Sequence, residues 1–220
     1  MSTVQTIEAA DLMLATLWPK PFSRKGWLYE LKYDGYRCLV RKRGGAMVDL
    51  ITRNGNLLNR SFPDIVAAVA AVPGEFVWDA ELTVDESNGR SSFERLQTRA
   101  RTSVPSRVRA AIREHPARLY VFDMLAENDR DIRQLPLIER KQILRDSFDN
   151  TAALVYVNGI AEAGEWVFEQ VQAHDFEGMV GKRLDAPYQR GRTRDWLKVK
   201  YPDYSRQEAL GFGRAAKETP

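Results

Sequence analysis

Glu30-Leu31-Lys32-Tyr33-Asp34-Gly35-Tyr36-Arg37 mixes apolar and charged residues and ends its first half on an Asp-Gly turn. That composition predicts a strand that stops at the turn and resumes at Tyr36. Side chains two apart on a strand share a face. Glu30, Lys32 and Asp34 are therefore expected on one side, with Leu31 and Tyr33 on the other. Two carboxylates flanking an ammonium orient it. Gly35 permits a sharp bend and close approach of a ligand to the backbone. A lysine so placed is a candidate nucleophile. On the octapeptide alone the commoner reading is a solvated ion pair, so the remainder of the chain decides.

Four later segments share this character: Phe76–Leu82 (FVWDAEL), Tyr120–Asp123 (YVFD), Phe176–Arg183 (FEGMVGKR) and Trp196–Lys200 (WLKVK). Each is a β-prone run carrying charges among apolar residues. Together they supply lysines and carboxylates for a polyphosphate and its metal. Lys198 and Lys200 alternate with Leu197 and Val199 and so share one sheet face. Asp79 and Glu81 share a face by the same rule.

The 220 residues are 44% hydrophobic and 29% charged, enough for a sizeable soluble core. No linker interrupts the chain before about Tyr201. Net charge is +3, too small to indicate nucleic acid by itself. Its distribution is uneven. Arg41, Lys42 and Arg43 form one run, and Arg95, Arg99, Arg101, Arg107, Arg109 and Arg113 a second. Arg190, Arg192 and Arg194 form a third. These are solvated faces or a surface that tracks phosphates. The single cysteine, Cys38, excludes an internal disulfide and reads as a small core residue. His115 and His174 lack a helical ligand spacing. A secretory leader and a long apolar run are both lacking, which points to a cytoplasmic protein without a membrane anchor.

Strands are expected at 27–32, 36–41, 47–52, 75–84, 119–124, 154–157, 178–183 and 197–199. Helices are expected at 62–72, 92–98, 106–115, 137–147 and 163–174. Leu137, Ile138, Lys141, Leu144 and Phe148 form an amphipathic stripe on the fourth helix. Gly44-Gly45 signals a hairpin. The pattern is α+β, built on antiparallel sheets.

The motifs and their order resemble the adenylation (nucleotidyltransferase) domain of ATP-dependent DNA ligases, of the bacterial end-joining type. Lys32-Tyr33-Asp34-Gly35 matches the nucleophile motif, and Thr52-Arg53-Asn54-Gly55 the turn that follows it. Asp79-Ala80-Glu81, Tyr120–Asp123, Glu177–Lys182 and Lys198-Val199-Lys200 match the remaining motifs. Gly89–Phe93 with Leu96-Gln97, and Tyr188 with Gly191-Arg192-Thr193, are also similar to this ligase type. The resemblance covers nearly all of the chain. It implies two antiparallel sheets flanked by helices, with the nucleotide in the cleft between them.

The resemblance also implies roles. Lys32 would be the adenylated nucleophile, and Lys198 and Lys200 would neutralise charge at the α-phosphate. Glu30, with the backbone at Leu31, would read the adenine edge, and Phe122 would stack on the base. Arg37 and Arg53 would contact ribose and phosphate, Arg192 the triphosphate, and Lys182 would add a cation. Glu81 would bind the ribose and support a magnesium or manganese site, with Glu177 as the second metal carboxylate. Trp196 reads as packing. Nucleophilic attack needs a neutral amine, whereas an ordinary lysine has a pKa of about 10.4. Neighbouring cations, a metal or burial lower it.

The expected organisation is an adenylation domain over 1–203. Residues 204–220 are then the start of a missing oligonucleotide-binding domain or a C-terminal tail, since Arg206–Gly213 is similar to that domain's first strand and a five-stranded barrel would not fit before Pro220. The short segment before Lys32 leaves no room for an upstream DNA-binding domain, or for the cofactor-reading domain of NAD-dependent ligases. Expected partners are nicked duplex DNA and a separate oligonucleotide-binding or end-joining repair protein, with the chain itself a monomer. An RNA ligase or capping-type nucleotidyltransferase and a non-catalytic nick-binding module are the alternatives.

Overall fold

The computed structural model describes residues 6–205. The segment expected to begin a second domain, Arg206–Gly213, lies outside the described residues. In chain order the strands are β1 (Met13–Leu17), β2 (Trp27–Lys32), β3 (Tyr36–Arg43), β4 (Met47–Thr52), β5 (Phe76–Val84) and β6 (Ala117–Glu127). They continue with β7 (Arg130–Asp131), β8 (Leu154–Tyr156), β9 (Ile160–Ala161), β10 (Gly178–Arg183) and β11 (Gly191–Lys200). The helices are α1 (Pro63–Ala71), α2 (Phe93–Arg101), α3 (Pro105–Glu114), α4 (Leu137–Ser147) and α5 (Gly164–Ala173).

Two sheets form. The first runs β1-β11-β10-β2-β9, and the second β4-β3-β5-β6-β7 with β8 also on β6. Most pairings are antiparallel as expected, but each sheet holds one parallel pair, β1 on β11 and β8 on β6. The expected hairpin at Gly44-Gly45 joins β3 to β4.

Alternation along the strands sorts the side chains. Tyr29, Met179, Leu197 and Val199 leave one face of the first sheet and pack on Val167, Phe168 and Val171 of α5. Cys38, Val40, Trp78, Ala80 and Leu82 leave one face of the second sheet and pack on Ile65 and Val69 of α1 and Leu144 of α4. Cys38 is fully buried, as its reading as a core residue requires. A third cluster, with Met13, Leu39, Val77, Tyr188 and Trp196, fills the closed end between the sheets. Their other ends stay open as a cleft.

Several expectations about charge need correction. Arg41 and Arg43 both reach Asp49 across the β3–β4 pairing, at 3.2 and 2.7 Å, and Lys42 is buried with its ammonium on the Val72 carbonyl. That run is therefore part of the scaffold. Arg99 is also buried: it pairs with Asp64 and donates to the His115 carbonyl. On α4 the buried positions are Leu137, Arg140, Lys141 and Leu144, while Ile138 is 56% exposed. Leu137, Lys141, Leu144 and Phe148 are thus buried as the stripe requires; Ile138 is not, and Arg140 lies inside with them because it pairs with the buried Asp123.

Candidate active site

Register brings the charged residues together. On the first sheet Lys32 lies opposite Gly178, which lies opposite Lys200. Glu30, Val180 and Lys198 form the next row, and Leu28, Lys182 and Trp196 the one after. Residues directly across a sheet share a face. Glu30, Lys32, Lys182, Lys198 and Lys200 therefore project from one face, toward the second sheet. Gly178 keeps the first row close, since a Cβ there would collide with the Val199 carbonyl oxygen.

The cleft holds about 880 Å3. Its lining includes Glu30, Leu31, Lys32, Arg37, Arg53, Glu81, Phe122, Lys182, Arg192 and Lys198. Of the expected site residues, Glu177 and Lys200 are the two that stand at its edge instead, joined to each other at 3.7 Å.

The Lys32 ammonium is not flanked by Glu30 and Asp34. β2 ends at Lys32, so the alternation does not carry through the turn. Tyr33 stacks on Tyr120 with ring centroids 3.8 Å apart. Asp34 is buried away from the cleft, and the Tyr204 hydroxyl donates to it at 3.4 Å. The partner of Lys32 is Glu177, whose Oε2 lies 2.5 Å from Nζ. Gly35 lines the cleft, and it is held tight against β5, where a Cβ would collide with the Leu82 carbonyl oxygen.

Glu30 is instead the centre of a buried triad. Lys141 Nζ stands 2.5 Å from Oε1 and Lys182 Nζ 2.5 Å from Oε2. Lys182 also stands 4.3 Å from the ring centres of both Phe122 and Trp196. Burial lowers the Lys182 pKa, with Lys141 adding to the effect and Glu30 opposing it. Lys198 is lowered too, by burial first and then by Lys32, Lys200 and Arg192. Trp196 packs in the core as read, and also forms part of the cleft wall.

On the second sheet Arg37 lies opposite Glu81. Its guanidinium grips Asp79 through two nitrogens, each at 2.5 Å, and donates to the Met13 carbonyl at 3.1 Å. Tyr188 donates to the same carboxylate at 2.6 Å. Asp79 thus fixes Arg37 beneath Phe122, 4.8 Å from the ring centre. Burial pushes the Glu81 carboxyl up to about 7; Lys32 and Arg37 oppose this, and Glu177 and Asp79 add to it. Among the described residues no cluster of three or more His, Cys, Asp or Glu is arranged to hold a metal. Two carboxylates fit magnesium, which takes one or two protein ligands and fills the rest with water and phosphate. A cation beside Glu81 would oppose the desolvation that raises its carboxyl.

Sequence reasoning missed the partners that hold these residues. Lys141 was read as part of a stripe, and Arg140, whose nitrogens hold Asp123 at 2.8 and 2.9 Å, was not singled out. A buried acid and a basic residue on an amphipathic helix was the available signal, but their pairing depends on the tertiary packing.

The profile described as "ATP dependent DNA ligase domain" matches residues 13–200. The "Bifunctional non-homologous end joining protein LigD" of Bacillus subtilis is 30% identical over 193 residues, covering 79% of this chain and 31% of the relative. "DNA ligase C1" of Mycolicibacterium smegmatis is 31% identical over 194 residues, covering 84% and 54%. The solved "mycobacterial DNA ligase D complexed with ATP and MES" superposes with a TM-score of 0.73 at 25% identity, over 91% of this chain and 62% of that one. The chain thus spans between about a third and about half the length of these curated relatives. Among the described residues no helix is long and apolar enough to cross a membrane. With the profile match running from β1 through β11, the chain belongs to the ATP-dependent DNA ligase domain family.

Proposed function

We propose that the chain is a nucleotidyltransferase core that activates a DNA 5′-phosphate with ATP and seals nicks. The observation that carries this is the Lys32–Glu177 contact at the edge of a lysine-rich cleft sized for a nucleotide. Lys32 Nζ loses a proton and attacks the α-phosphorus. An N–P bond forms, the bond to the bridging oxygen breaks, and pyrophosphate leaves. The AMP then passes to a 5′-phosphate oxygen, restoring the lysine. Attack of the 3′-hydroxyl on that phosphate joins the strand and releases AMP.

Each part has a supporting feature. The hydrogen bond to Glu177 Oε2 orients the Lys32 nitrogen. Lys198 and Lys200 extend from the same sheet face as the nucleophile and suit the charge that develops on the phosphorus oxygens. Phe122 offers a ring to the base and Glu30 an acceptor to its edge. Arg37, Arg53 and Arg192 serve ribose and phosphates. Glu81 and Glu177 would hold magnesium, or manganese, which supplies neutralisation of the triphosphate. Adenylation occupies the unit ending near residue 203, and an oligonucleotide-binding or end-joining repair protein is the expected companion. The end-joining names of the relatives support a role in repair, with nicked cytoplasmic duplex DNA as substrate and the chain acting as a monomer.

The test is covalent labelling with ATP and magnesium, followed by sealing of a nicked duplex. Label on Lys32 and its loss in Lys32→Arg are expected, because a guanidinium stays protonated. A label that persists in Lys32→Arg removes Lys32 from the chemistry. Labelling by GTP in place of ATP favours a capping-type enzyme.

A further inference from the structure

Helix α4 reaches the back of the cleft through one side chain. Lys141 is buried. Its Nζ stands 2.5 Å from Glu30 Oε1, 2.7 Å from the Val157 carbonyl oxygen and 3.5 Å from that of Phe122. An ammonium has three donors, and three acceptors surround this one. They come from different parts of the fold. Glu30 lies on β2 of the first sheet, Phe122 on β6 of the second, and Val157 just past β8. The Tyr156 ring, 4.7 Å away, closes the site from the side.

We propose that Lys141 is a positioning residue for nucleobase selection, fixing the Glu30 carboxylate relative to the Phe122 ring so that the cleft takes a 6-aminopurine over a 6-oxopurine. The proposal rests on the adenylation reading and deepens it. Glu30 sits between two ammoniums. As a carboxylate it only accepts hydrogen bonds, and two oxygens have room beyond the two lysines. An exocyclic amine donates to it. A 6-oxo group sets acceptor against acceptor, which is a repulsive means of discrimination.

Such discrimination depends on placement, because a hydrogen bond weakens steeply when misaligned. Lys182 cannot supply the placement alone. It comes from β10, beside β2, and meets Phe122 only through the ring face, 4.3 Å from the centre, a contact without the directionality of a hydrogen bond. Lys141 is the contact that ties the edge-reading group by hydrogen bonds to the backbone of the strand carrying the stacking ring. Rigid support behind a binding group is what holds it in productive geometry.

The experiment compares wild type, Lys141→Met and Lys141→Arg. KM and kcat for labelling of Lys32 are measured with ATP and with GTP, and binding of both nucleotides is measured by calorimetry. In Lys141→Met the ATP:GTP ratio of kcat/KM is expected to fall about tenfold, mostly through KM for ATP. Lys141→Arg, which keeps the charge and donors, should recover most of the ratio. An unchanged ratio, or an equal loss with both nucleotides, overturns the proposal, since a purely structural lysine would affect both alike. Thermal unfolding identifies a variant that fails to fold. Lys141→Gln, which keeps a donor for the carbonyls, then carries the same comparison. Failure of the wild type to label with ATP counts against the adenylation reading, while the calorimetric ATP:GTP ratio still judges Lys141.

Discussion

At the scale of single residues, the cleft separates two kinds of carboxylate. Asp79, Asp123 and Glu30 are buried, and each is gripped by an arginine or by lysines. Glu81 lies across from Arg37 but is not gripped in this way, and its carboxyl is raised to about 7. A carboxyl whose pKa is higher folded than unfolded binds more protons in the folded state across the interval between the two values. Its stabilising contribution is full below about 4.5 and is lost as pH rises through about 7. Glu81→Gln should flatten the fall in stability over that window and leave the ligand-free protein more stable than wild type at pH 8. Denaturant unfolding across pH reads this, and an unchanged pH slope removes Glu81 as its source. The same variant should lose lysine labelling, an instance of stability set aside for function.

Element by element, three strands were the most legible in sequence. β2, β4 and β10 run where the alternating apolar pattern put them, because both faces of each strand have a fixed job. β1 was not legible. Met13-Leu14-Ala15-Thr16-Leu17 has no alternation, and its partner β11 lies far along the chain. The residues that the cleft brings together were legible in sequence, but their pairing was not: Lys32 to Glu177 and Lys141 to Glu30 each span more than a hundred positions. Asp34 was misjudged because β2 ends at Lys32, two residues before the position where alternation would place it. Arg140 and Asp123, both fully buried, bind α4 to β6. Removing one member of such a pair leaves an uncompensated buried charge, so Arg140→Met should cost about 3–5 kcal/mol. Urea denaturation measures it. A loss below about 1 kcal/mol would mean that α4 is held by its apolar contacts alone.

For the whole molecule, the net charge of +3 conceals an uneven surface. Within the run at 41–43, Arg41 and Arg43 share Asp49 and Lys42 is held by the Val72 carbonyl, while Arg99 is buried against Asp64. What stays outside on α3 is Arg107, Arg109 and Arg113, exposed around the buried Val108 and Ala111. α3 packs beside α2, which begins at Phe93 on the lining of the cleft. Each phosphate contact contributes about 0.9 to the slope of log affinity against log salt. Replacing all three arginines by glutamine should therefore weaken binding to nicked duplex and lower that slope by up to about 3, without regard to sequence. Labelling of Lys32 by free ATP should be unaffected, because α3 contributes no side chain to the cleft lining. Titrations at several salt concentrations give the slope. If it matches that of wild type, α3 is a solvated face and the duplex lies against another part of the molecule. If labelling falls with binding, the substitutions have disturbed the fold, and single replacements at Arg109 and Arg113 then separate the two effects.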